Sequence, residues 1–169
     1  TEATRANPAA LKRLETPGTV LFQDDFASAS SLQKYFEVRG KDTRRVVIEN
    51  GTLRLTALNN NGREAGSGIN LWFGEKGGYD QIHFRYRMRF ADNYDQGNLN
   101  HTGGALAAVS GSGKWDGMGN AGIRPQGDDR CTAGIETWID YRRYPAPGYL
   151  FSYCYWMDMK QDRDGSYWG

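Results

Sequence analysis

The sequence predicts an all-β fold, a jelly-roll β-sandwich, and three observations carry that expectation. The first is period-2 patterning, plainest in QIHFRYRMRF at 81–90. There Ile82, Phe84, Tyr86, Met88 and Phe90 fall on one parity, and His83, Arg85, Arg87 and Arg89 on the other. Successive side chains of a strand point to opposite faces, so the segment reads as a strand with one apolar and one basic face. The second is punctuation: 22 glycines and turn pairs such as Asn50-Gly51 separate short runs, and helical patterns are few. The third is an aromatic content of 13%, with ten Tyr and five Trp, which suits strands and the stacking of flat sugar rings. Many strands, many turns and few helices give a sandwich.

Taken in order, residues 1–18 form an N-terminal arm, with a short helix over Pro8–Glu15 stopped by Pro17-Gly18. Residues 19–169 form one domain. TVLFQDDFAS is a short apolar run, and SLQKYFEVRG a helical turn leading into a strand. RRVVIENGTLRLTAL is a hairpin, with Val46 and Ile48 before Asn50-Gly51 and Leu53 and Leu55 after it. GINLWFG and the basic segment 81–90 are further strands. Residues 91–130 turn to Gly, Asn, Asp and Ser, which predicts a long irregular loop of the kind that binds ligands. CTAGIETWIDY (131–141) and GYLFSYCYWMDM (148–159) are strands on either side of the turn RRYPAP, and SYWG reads as the start of another.

Bulk properties exclude several functions. A length of 169 residues with 38% hydrophobic content suits a single core. A net charge of +1 argues against nucleic acid as partner, so any basic surface is local. No apolar stretch approaches the roughly 20 residues of a membrane span, and no signal peptide is visible; a first residue of Thr1 fits removal of one. Cys131 and Cys154 are the only cysteines and form either one bridge or two thiols. Two Cys and two His, dispersed, make a poor zinc site, and no phosphate-cradling glycine motif occurs. No motif demands a cofactor. Calcium is the one ion whose ligand types cluster, at Asp158, Asp162 and Asp164 before Gly165, without the spacing and closing Glu of a full calcium loop.

Two sugar chemistries bear on these residues. Hydrolysis needs two carboxyl groups about 5 to 9.5 Å apart. Glu136 and Asp140 share a strand face but sit roughly 13 Å apart, so Glu136, Trp138 and Asp140 read better as a sugar-binding row. β-Elimination on a uronic acid polymer needs donors that neutralise the carboxylate, a base for the adjacent C–H, and an acid for the leaving oxygen. Tyr153 and Tyr155 on one strand face, His101 and Asn100 in NLNHTGG, and Arg124 and Arg130 in GIRPQGDDR supply those groups. Of the two histidines, His101 lies among small loop residues, whereas His83 sits on the basic strip. That strip, with Arg87 at its centre, faces either a groove or the convex side.

VLFQDDF, IENGTLRL, HFRYRMRF, NHTGGAL and YLFSYCYW, in this order, resemble the concanavalin A-like jelly rolls of polysaccharide lyases that act on alginate and glucuronan. The resemblance spans residues 19–159 and is sharpest at FRYRMRF, TGGAL and SYCY. It implies proton transfer by Tyr153 and Tyr155. The lysine of the lyase pattern reads as Ala105, and TAGIETW carries no arginine.

The expectation is therefore a secreted or periplasmic domain that binds an acidic, uronate-containing polysaccharide and cleaves it by β-elimination. Tyr153, Tyr155, His101 and Arg124 would be catalytic, the two tyrosines in proton transfer and His101 and Arg124 in handling the carboxylate. Glu136, Trp138, Asp140, Asn100, Arg130 and Arg87 would bind substrate. A non-catalytic carbohydrate-binding module, favoured by the missing lysine and arginine, and a glycoside hydrolase are the alternatives.

Overall fold

A computed structural model describes residues 18–58, 66–74, 77–95, 101–111, 113–117, 120–140 and 142–169. The expected helix of the arm and Asn100 lie outside the described residues. The protein is all-β. Strands are β1 (Glu37–Arg39), β2 (Val46–Glu49), β3 (Thr52–Leu55), β4 (Gly68–Asn70), β5 (Gly103–Val109), β6 (Arg130–Trp138) and β7 (Tyr149–Tyr155), and a 3-10 helix spans Ala29–Lys34. They form two antiparallel pairs, β1 with β4 and β2 with β3, and one three-stranded antiparallel sheet in the order β5-β6-β7. No helix among the described residues is long and apolar enough to cross a membrane.

The predicted hairpin forms, with Val46 opposite Leu55 and Glu49 opposite Thr52. Asn50 and Gly51 both take positive φ, 51° and 67°, as a type I′ turn requires. The predicted helical turn before β1 forms as well; buried Ser31 and Leu32 hold it to the body.

Two expectations change. Residues 81–90 join no ladder among the described residues. Instead, the Phe84 and Tyr86 rings stack 5.1 Å apart over Gly104, and the Tyr86 hydroxyl accepts the Gly104 N–H (2.9 Å) and donates to the Ile135 carbonyl (3.3 Å). Alternation records which side chains share a face, not whether the backbone pairs, and an extended segment packed on a sheet satisfies the same pattern. Conversely, β5 lies within the stretch expected to be irregular. GGALAAV has weak β-propensity, yet its small residues suit the place. A Cβ on Gly103 would come within 1.8 Å of the Ile135 carbonyl oxygen, and one on Gly104 would strike the Tyr86 and Phe84 rings.

The register gives the sheet two unlike faces. Gly103, Ala105 and Ala107 on β5, Thr132, Gly134, Glu136 and Trp138 on β6, and Tyr149, Phe151, Tyr153 and Tyr155 on β7 share one. Leu106, Ala108, Cys131, Ala133, Ile135, Leu150 and Cys154 share the other, under Phe84 and Tyr86. Both cysteines are free thiols. Cys154 lies opposite Ala133, so Cys131 is its diagonal neighbour, at the roughly 7–8 Å Cα spacing that exceeds disulfide reach.

Buried Leu32, Val46, Ile139, Tyr155 and Met159 form the core of the described residues, and Ile139, 2% exposed, follows β6 directly. Ile139→Val is expected to cost about 1 kcal/mol in urea unfolding, from one buried methyl group and the void it leaves.

Candidate active site

The site is built on the polar and aromatic face of the three-stranded sheet. Pairing of Gly134 with Tyr153 and of Glu136 with Phe151 sets Glu136 one step along from Tyr153 on the adjacent strand. Pairing of Gly103 with Glu136 brings the residues before β5 to the same end. His101 enters there, and its Nδ1 lies 2.8 Å from Glu136 Oε2. The Glu136 side chain is 12% exposed and that of His101 66% exposed.

A carboxylate only accepts hydrogen bonds, so the ring nitrogen facing Glu136 carries the hydrogen and the neutral imidazole keeps its lone pair on Nε2. The hydrogen bond to Glu136 raises the His101 pKa above the ordinary imidazole value; the charge of that carboxylate adds to the effect, and partial burial opposes it.

Tyr153 stands beside this pair, its ring centroid 5.0 Å from that of His101. Its hydroxyl is 3.1 Å from that of Tyr155. Burial first, then the hydrogen bond to Tyr155 and the electrostatic influence of Tyr155 and Glu136, push the Tyr153 hydroxyl above the ordinary phenol range. It therefore remains protonated at neutral pH and is suited to donate a proton, not to abstract one. Tyr155 is buried at 9% exposure, and its hydroxyl accepts the Gly122 N–H at 3.3 Å. It supports Tyr153 from behind.

Gly122 leads to an open depression of about 700 Å³ lined by Arg124, Pro125, Gln126, Met157, Asp158 and Tyr167 among others. The Arg124 guanidinium lies 5.4 Å from the Tyr167 ring centroid, and Tyr167 pairs with Gly122 in an isolated bridge. Arg124 is exposed. A contiguous chain of contacts thus runs from Arg124 through Tyr167, Gly122, Tyr155 and Tyr153 to His101 and Glu136.

The sequence-predicted residues divide accordingly. His101, Glu136, Tyr153 and Tyr155 come together, and Arg124 is linked to them only through Tyr167 and Gly122. Arg130 is committed elsewhere: it pairs with Asp129 and donates to the Ile123 carbonyl at 3.0 Å, which braces the segment carrying Arg124. Trp138 continues the same face beyond Glu136, 6.1 Å from the Phe151 ring. Asp140 lies past the end of β6 at φ 47° and pairs with Arg143 at 2.7 Å. Arg87 is not brought to this face, because Phe84 and Tyr86 approach the opposite one and alternation turns Arg87 outward, where it is exposed.

Asp162 and Asp164 are spent within their own loop, on the Trp168 N–H and on the Ser166 N–H and Trp168 indole respectively. Among the described residues no group of three acidic, His or Cys side chains is arranged to hold a metal ion. Gly122 and Tyr167 had no sequence signal; a backbone N–H and a bridge partner belong to the fold, not to any motif.

Comparison with family models, with curated proteins and with solved structures gives no match.

Proposed function

We propose that this chain is a carbohydrate-active jelly-roll domain that binds an acidic, uronate-containing polysaccharide outside the cytoplasm and cleaves it by β-elimination. The observation that carries the reading is the exposed His101 imidazole, held through Nδ1 by Glu136 and set beside the protonated hydroxyl of Tyr153. The sandwich part of the reading is supported by Phe84 and Tyr86, which extend from segment 81–90 onto the apolar face of the sheet as an opposing layer would.

In this reaction the uronate C5–H proton passes to His101 Nε2. The electron pair forms the C4=C5 double bond, the C4–O bond breaks, and Tyr153 gives its proton to the departing oxygen. His101 then loses a proton and Tyr153 regains one, which restores the starting state. Arg124, at the neighbouring depression, pairs with a uronate carboxylate of the bound chain. Phe151, Trp138 and Tyr149 extend the face as surfaces for sugar stacking.

A non-catalytic binding module on the same face is the second reading, favoured by Ala105 at the position where the lyase pattern has lysine. A glycoside hydrolase is less well supported: the group beside Glu136 is an imidazole rather than a second carboxyl, and Asp140 is turned to Arg143.

The test is ultraviolet absorbance of the unsaturated uronate during incubation with polymannuronate, polyguluronate and polyglucuronate. A rise is expected on at least one polymer, with KM raised roughly tenfold and kcat little changed in Arg124→Ala. No rise on any of them, with the polymers still bound, would leave the binding-module reading in its place.

A further inference from the structure

We infer that Glu136 is a positioning residue, which orients His101 as the base through its hydrogen bond to Nδ1. The inference rests on the eliminase reading and adds to it a residue that would otherwise be assigned to sugar binding.

The geometry makes the assignment. Glu136 is 12% exposed on β6, whereas His101, its partner at 2.8 Å, is 66% exposed. The carboxylate is thus largely covered and the imidazole presents its other edge to solvent. A polymer lying on this face would meet Nε2 of His101 before it met Glu136. The titratable groups that face His101 among the described residues are Glu136 from β6 and Tyr153 from β7, with Tyr155 behind Tyr153.

The negative charge of Glu136 has the same electrostatic sense at His101 and Tyr153, because it favours the bound proton. Its importance differs. At His101 it produces a stronger base with a fixed tautomer, whereas at Tyr153 it adds only the last of four effects, after burial and Tyr155, to a phenol that is protonated at neutral pH in any case. The pH consequence follows from the sign. His101 must be neutral to accept a proton, so cleavage rises with pH through its raised pKa. The contribution of the pair to stability runs the other way: it is fully present below the unfolded-state pKa and is lost as pH rises through the folded one.

The test is the NMR titration of the His101 ring in the parent protein, Glu136→Gln and Glu136→Asp, together with the pH profile of enoate formation on whichever polyuronate responds. In Glu136→Gln the His101 midpoint is expected to fall, the acidic limb of the profile to move down with it, and the plateau kcat to drop about tenfold as the tautomer is freed. Glu136→Asp retains the charge and is expected to keep the midpoint near that of the parent, and ring-signal dispersion reports that each variant is folded. An unchanged midpoint in folded Glu136→Gln would overturn the assignment whatever the polymers do. Absence of the enoate in the parent protein would overturn the eliminase reading and the base role with it, and the midpoint would then report on the pairing alone.

Discussion

Tyr153→Phe is expected to lower kcat for enoate formation by about 10²–10³-fold, and Tyr155→Phe by only about tenfold. The two tyrosines are equivalent in sequence, two residues apart on one strand face, and the structure makes them unequal. Tyr155 is buried, with its hydroxyl occupied by the Gly122 N–H and by Tyr153. Tyr153 lies nearer the His101 imidazole and is the less buried of the two. Removing the Tyr153 hydroxyl takes away the proton that the leaving oxygen requires, and the ring that remains still packs against Phe151 and Tyr155. The loss should therefore appear in kcat with KM nearly constant, as for a group used only in the transition state. Removing the Tyr155 hydroxyl leaves Tyr153 with its proton but without its support, and leaves the Gly122 N–H without this acceptor. Equal losses in the two variants, read by single-turnover kinetics on a responsive polyuronate, would mean that the pair acts as one coupled acid and that the division of roles is wrong.

How much of this was legible in the sequence depends on the kind of signal. The β2–β3 hairpin was readable to the residue, because Asn-Gly fixes a turn type and that turn fixes the register. β6 and β7 form where expected but stop at Trp138 and Tyr155, short of 141 and 159, and their alternation placed Tyr153 and Tyr155 on one face. The pairing between strands distant in sequence was not readable. That His101 meets Glu136, 35 residues away, depends on Gly103 pairing with Glu136 across a strand whose Gly and Ala content gave no sign of being one. The basic strip shows the opposite failure. Its alternation was strong, yet Phe84, Tyr86 and Met88 on the apolar parity remain 50%, 37% and 42% exposed, and nothing in a period-2 pattern states whether the backbone pairs or merely lies extended. Arg130 shows a third limit, because a cation's charge is visible in sequence and its commitment to Asp129 and the Ile123 carbonyl is not.

Gly148→Val is expected to destabilise the protein by about 3 kcal/mol or more, the largest stability loss foreseen for one residue here. Gly148 closes the turn between β6 and β7 at φ 77°, a conformation that a β-branched residue rarely adopts. A Cβ there would also sit 2.1 Å from the Trp138 carbonyl oxygen, 2.8 Å from the carbonyl carbon and 3.0 Å from Ile139 Cγ2. Two of those atoms are backbone at the end of β6, so relief requires moving the strand itself or the buried isoleucine after it. Either movement acts on the pairing of Trp138 with Tyr149, the first pair after the turn and the one from which the register of Glu136 against Phe151 and of Gly134 against Tyr153 is counted. Gly77→Val separates the causes. Gly77 has a similar φ of 82°, but a Cβ there meets nothing within 4 Å, so it should lose only the backbone term of roughly 1–2 kcal/mol. Urea unfolding of both variants measures the difference. A Gly148→Val no less stable than Gly77→Val would mean that the turn yields without disturbing β6, and that the alignment of His101, Glu136 and Tyr153 is held by the strands alone.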